Sequence, residues 1–127
     1  MANGQLIAVS NKEHFLAYLR HYSHRDLDRV SSIFSDEVTL RDWSISVVGK
    51  AAAVAETSRN FESGQSIEIQ TPGIYEGGDT VAGELRIVVD GKTELYVMDV
   101  ISFDAGGKIK SIRAYLGRGD DLGRQDQ

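Results

Sequence analysis

The chain has 127 residues, 41% hydrophobic and 26% charged, a balance that suits one domain able to bury roughly two-thirds of its unfolded surface. Its 14 basic and 19 acidic residues leave a net charge of −5 with no basic stretch, which argues against nucleic acid and anionic membrane as partners. It has no cysteine, so disulfides, thiol catalysis and cysteine zinc sites are excluded, and no apolar run approaches the ~20 residues of a membrane span.

The opening "MANGQLIAVSNKE" lacks a basic segment and a long apolar stretch, so no signal peptide and a cytoplasmic address are expected. Ser10 and Glu13 have the spacing of a capping box, and Phe15, Tyr18, Leu19 and Tyr22 then mark one buried helix face. Asp26 is placed to cap a short second helix with Leu27, Val30, Ile33 and Phe34 inward. "EVTLRDW" switches to period two, with Val38, Leu40 and Asp42 on one face. "KAAAVAETSRNFESG", between Gly49 and Gly64, reads as a third helix built from strong helix formers.

The second half reads as sheet. "SIEIQT" alternates, Pro72-Gly73 interrupts it, and "EGGDT" turns the chain. "TVAGELRIVVD", "TELYVMDVISFD" and "KIKSIRAYLG" follow, separated by "DGK" and "AGG" turns, as an antiparallel meander. Helices first and a curved sheet second predict an α+β fold, with the helices packed into the concave face. Residues 1–117 are expected to form one domain and 118–127 a polar tail. Arg118-Gly119-Asp120 matches an adhesion tripeptide, which in this setting is a chance match.

In "ELYVMDVISFD", Leu95, Val97, Ile101 and Phe103 share one strand face, and Asp99 sits in the middle of that apolar row. Burying an ionised carboxylate without a partner is prohibitive, so such a group finds a partner or stays protonated. A three-residue loop at Asp90, Gly91 and Lys92 sets Gly83 opposite Asp99, with Leu85 and Ile87 opposite Val97 and Leu95. That register is expected to leave space beside the acid for a ligand. Asp42 repeats the anomaly at the end of its own inward row, and Tyr18 brings a phenol from the first helix. Taken singly, each has an ordinary explanation: a core tyrosine, a turn-capping aspartate, an acid paired with an arginine or backbone. Together they supply one base and two hydrogen-bond donors, the parts needed to move a proton next to a carbonyl.

"YLRHYSHRDLDRVSSIFSDEVTLRDW", "GKAAAV" and "YVMDVISFDAGGKIKSIRAYLG" resemble the ketosteroid isomerase branch of the nuclear transport factor 2-like, or SnoaL-like, superfamily, over residues 12 to 117. The resemblance implies a cone-shaped α+β fold, with a curved antiparallel or mixed sheet wrapped around N-terminal helices. It puts Tyr18 on the isomerase's oxyanion tyrosine, Asp42 on its general base and Asp99 on the aspartic acid held neutral by an apolar site. It further implies a small apolar substrate against Trp43, Leu85, Ile87, Val97, Ile101 and Leu116, with no cofactor and no metal. The chain departs from the pattern where further tyrosines extend the hydrogen-bond chain, having Phe34 and Thr57 there, and where a proline often follows the base, having Trp43.

Other chemistries of this superfamily stay open. Polyketide cyclases also use a cavity aspartic acid, for an aldol-type ring closure. Epoxide hydrolases need an arginine between two acids, and Arg41, Arg86 and Arg113 all alternate onto the opposite face. Dehydratases need a sheet histidine, whereas His14, His21 and His24 lie in or just after the first helix. A non-catalytic binding or dimerisation domain is a further reading. Domains of this shape commonly pair through the outer sheet face, so a homodimer is expected, using Glu84, Arg86, Tyr96, Met98, Val100, Arg113 and Tyr115.

Overall fold

The Ser10 hydroxyl accepts the Glu13 amide at 3.1 Å and the Glu13 carboxylate accepts the Ser10 amide at 2.9 Å, which closes the capping box and starts α1 (Asn11–Ser23). The computed structural model describes residues 9–119. After α1 come α2 (Leu27–Ser32), β1 (Phe34–Arg41), β2 (Ser46–Val48), α3 (Lys50–Glu62), β3 (Ile67–Gly77), β4 (Thr80–Val89), β5 (Thr93–Phe103) and β6 (Ile109–Leu116). Residues 120–127 of the expected tail, including Asp120 of the adhesion-like tripeptide, lie outside the described residues, as do residues 1–8.

The six strands form one sheet in the order β2-β1-β6-β5-β4-β3. Every neighbouring pair is antiparallel except β1 and β6, which run parallel, so the sheet is mixed. Helix α1 lies over β3 and β4, α3 over β1 and β2, and α2 bridges the two helices. Between sheet and helices sits a core built on Phe15, Val30, Phe34, Val38, Ile101 and Phe103, each at most 1% exposed. Among the described residues no helix is long and apolar enough to cross a membrane.

The turn between β4 and β5 sets the register of the site. Asp90 and Gly91 take positive φ angles of 55° and 69°, and the Lys92 amide donates to the Val89 carbonyl. The last pair, Val89 with Thr93, leaves a three-residue loop, and Leu85 then faces Val97 as the hydrophobic pattern requires. The Asp90 carboxylate also accepts the amides of Gln65 and Ser66, at 2.8 and 2.9 Å; these bonds pull its pKa below the usual aspartate value and pin the start of β3. Arg25, itself at a positive φ of 55°, donates to the carbonyls of Phe61 and Gln65. That clamp ties the α1–α2 turn to the end of α3.

Three local expectations change. Phe34, read as the end of the second helix, opens β1, because Ile33 already caps α2; it is buried either way. Pro72-Gly73 does not stop β3, which absorbs the pair as an irregularity between Gln70 and Gly73 and then resumes pairing with β4. The three-residue edge strand β2 is too short to show alternation and was not expected.

Candidate active site

Asp99 is central on β5, and its cross-strand neighbours are Gly83 on β4 and Ala114 on β6. Its face of the sheet is therefore low on both sides of the carboxyl, while Val97 and Ile101 rise before and after it along the strand. The residue is 8% exposed, and among the described residues nothing hydrogen-bonds its carboxyl. Burial, followed by the charge of Asp42, pushes its pKa up from 3.8 to about 7. The space expected over Gly83 is not open to a ligand: a Cβ there would lie 2.5 Å from Cζ of Phe15, whose ring fills it. The ring adds to the apolar surroundings that disfavour the charged form of the acid.

Tyr18 and Tyr22, one helical turn apart on α1, face the same cavity. Burial raises the Tyr18 pKa well above that of a free phenol, with Tyr22 and Asp99 adding to the effect, so the phenol keeps its proton. Among the described residues no hydrogen-bond chain backs it: Phe34 packs 6.4 Å away, ring to ring, and the Thr57 hydroxyl is spent on the Ala53 carbonyl. The helical spacing marks Tyr22 only as a core residue. Its hydroxyl accepts a bond from Asn60 at 3.1 Å, and burial raises its pKa, with Asp99 and Asp42 adding to that.

Asp42 follows the last residue of β1. One carboxylate oxygen, Oδ1, accepts the amides of Ser44 and Ile45 at 2.7 and 2.9 Å, while its own amide donates to the Ile45 carbonyl. The turn-capping role and a place in the cavity thus belong to the same side chain. Among the described residues nothing bonds Oδ2. Trp43, next in the loop, is half exposed at the cavity mouth.

These groups line a cavity of about 360 Å³. Of the expected apolar contacts, Trp43, Leu85, Ile87 and Val97 line it. Ile101 does not, because it is fully buried in the core beyond Asp99; nor does Leu116, the last residue of β6, which is 49% exposed. The polar residues Glu56, Asn60 and Ser63 of the α3 segment also line the cavity and were not foreseen. Their i, i+4, i+7 spacing, beside the buried row Ala53, Thr57 and Phe61, was the available signal.

No lysine, arginine or histidine is among the lining residues. Arg41 donates to Tyr115, Arg86 to Glu94 and Gln70, and Arg113 to Ser102, all away from the cavity. His14 packs 5.9 Å from the Phe103 ring and borders a separate pocket. Among the described residues no group of three or more His, Asp or Glu is placed to hold a metal. The cavity therefore brings together a carboxylate with a free oxygen, a buried acid that favours its neutral form, and a phenol. Those are the parts for general base catalysis with two oxyanion donors.

A family model described as a SnoaL-like domain matches residues 15–112. A search of curated proteins found no match. Among solved structures, the epoxide hydrolase/cyclase-like enzyme SalBIII, of pyran ring formation in the polyether salinomycin, is 23% identical with a TM-score of 0.75, covering 84% of this chain and 90% of its own. An LEH-like epoxide hydrolase from M. tuberculosis is 18% identical with a TM-score of 0.72, over 84% of this chain and 82% of its own. A candidate ketosteroid isomerase from Kribbella flavida DSM 17836 is 12% identical with a TM-score of 0.74, over 91% of this chain and 85% of its own. At these identities the likeness is one of fold.

Proposed function

Because the chain belongs to the SnoaL-like domain family, in which one cone-shaped fold serves several chemistries, we propose from its cavity that it is an enzyme moving a proton next to a carbonyl. Asp42 takes the proton from carbon through Oδ2, while Oδ1 stays fixed by two backbone amides. Charge then develops on the carbonyl oxygen and meets hydrogen bonds from Tyr18 and protonated Asp99. Returning the proton to a second carbon isomerises a double bond. If the enolate instead attacks another carbonyl, the same first step leads to an aldol-type ring closure. The substrate is small, largely apolar and planar enough for the sheet wall of Leu85, Ile87 and Val97. The outer sheet face, with Tyr115 50% and Tyr75 56% exposed, is proposed to pair two copies.

The observation that carries this reading is Asp99, a buried acid that among the described residues has no cation or hydrogen-bond partner, in a cavity lined by no lysine, arginine or histidine. A structural acid would have a partner, and a hydrolase of the acid–arginine–acid kind would have a guanidinium. The test is a planar phenol, which mimics the enolate. Its binding is expected to weaken as pH rises above about 7, where Asp99 ionises. Asp99→Leu is expected to lower affinity and turnover by roughly 10²–10³, the usual loss for one oxyanion donor. Unchanged affinity in Asp99→Leu overturns the reading.

A further inference from the structure

The cavity has two unlike walls. Apart from Asp99, the sheet contributes apolar side chains, Ile67, Ile69, Leu85, Ile87, Leu95 and Val97 among them, whereas α3 and the residue capping it contribute Glu56, Asn60 and Ser63. Glu56 is partly buried, whereas Asn60 and Ser63 are exposed, so a wholly apolar ligand filling this space would strip water chiefly from the Glu56 carboxylate and return nothing, which is costly for a charged group. The ligand must therefore carry a polar edge.

The bonds already made on that wall fix the sense of what is missing. The Ser63 hydroxyl donates its proton to the Asn60 carbonyl at 2.7 Å, leaving lone pairs. Asn60 spends an amide hydrogen on the Tyr22 hydroxyl, and its side-chain oxygen has no partner among the described residues. Glu56 accepts from Arg59 at 2.8 Å through Oε2, which leaves Oε1. What remains on this wall is chiefly acceptors, and Glu56 is not among the charges acting on Asp99 or Tyr18, the two oxyanion donors.

We infer that the substrate bears a hydrogen-bond donor, a hydroxyl or an amine, at the end remote from its carbonyl, and that Glu56 and Asn60 receive it. The inference rests on the proposed function for which end of the ligand is which. It makes Glu56 and Asn60 specificity-determining residues rather than catalytic ones. With Asp42, Glu56 and Asp99 as the titratable carboxyls and no cation on the lining, a remote carboxylate would be repelled.

The test uses planar phenols of two to four fused rings, each with and without a second hydroxyl at the far end, with binding read from Trp43 fluorescence. A far hydroxyl of matching reach is expected to tighten binding about tenfold or more, as a hydrogen bond to a charged acceptor does. A far amine should gain at least as much and a far carboxylate should lose binding. Within each variant the far-hydroxyl phenol is compared with its parent: Glu56→Leu should erase the difference and Glu56→Gln keep part of it. Arg59→Ala should keep the full gain, since it removes only the helix-surface pair. A far hydroxyl that gains nothing at any length, or whose gain survives Glu56→Leu and Asn60→Leu, overturns the inference while leaving an Asp99-dependent phenol site standing. Phenols that do not bind at all remove the proposed function and this inference together.

Discussion

Gly83 stands directly across the β4–β5 ladder from Asp99, and the room its missing side chain leaves is occupied by the ring of Phe15. The acid is thus walled on one side by an aromatic edge rather than by water or ligand. That packing follows from a glycine in a strand interior, which admits close approach by another group.

Adding one methyl at this position should therefore disturb both stability and the acid. In Gly83→Ala the new Cβ would lie 2.5 Å from Phe15 Cζ, so the ring must shift within a fully buried core. The expected cost is about 1–3 kcal/mol, typical of overpacking. Urea denaturation checks it; a variant as stable as wild type would mean the ring has somewhere else to go.

Asp99 predicts an unusual dependence of stability on pH. Its folded pKa of about 7 exceeds the ordinary 3.8, so between those values the folded chain holds a proton that the unfolded chain releases. Stability should fall as pH rises through that window and level off above it, by at most about 4 kcal/mol at 1.36 kcal/mol per pH unit. Asp99→Leu should flatten the decline and be more stable than wild type at pH 8, because an apolar side chain suits the row Val97 to Ile101. Urea midpoints of both proteins at pH 5 and pH 8 decide the matter, and parallel profiles would assign Asp99 to a structural pair.

The two roles of Asp42 separate by substitution. Asparagine retains Oδ1 and its bonds to Ser44 and Ile45, so Asp42→Asn should fold normally, bind neutral ligands and lose roughly 10²–10⁴ in rate. Asp42→Ala should also lose the turn and destabilise the loop that carries Trp43. Removing the Asp42 charge should in addition lower the Asp99 pKa, since that charge helps to raise it. Turnover equal to wild type in Asp42→Asn would remove Asp42 from the mechanism.

Tyr115 is half exposed on the outer face and accepts a bond from Arg41 at 2.9 Å, with the guanidinium also 5.9 Å from its ring centroid. A second copy over this face would cover both. Sedimentation at micromolar concentration is expected to show a dimer, and Tyr115→Glu to shift it toward monomer. A wild-type monomer would end that proposal.

Local chemistry made much of the fold readable: the Ser10–Glu13 spacing, the Asp26 cap and the Asp90-Gly91-Lys92 loop each act over a few residues. The anomaly of Asp99 was legible because period two forces it onto an apolar face. What escaped depends on distant packing. No local signal says that Phe15 reaches over Gly83, that Ile101 sinks into the core, or that Leu116 emerges at the end of its strand. The parallel pairing of β1 with β6 joins segments about as far apart in the chain as any in the sheet. The α3 polar row was missed because a polar helix face reads as solvent-facing until a sheet is found opposite it.

Ala114 is the other cross-ladder neighbour of Asp99, and unlike Gly83 its side borders the cavity. With Phe15 already over Gly83, position 114 is where a redesign can grow toward the acid without invading the core. A serine there could bring a hydroxyl to the carboxyl, and a valine could dry it further. One residue thus offers an adjustment of the acid's strength that leaves the base on its own loop in place.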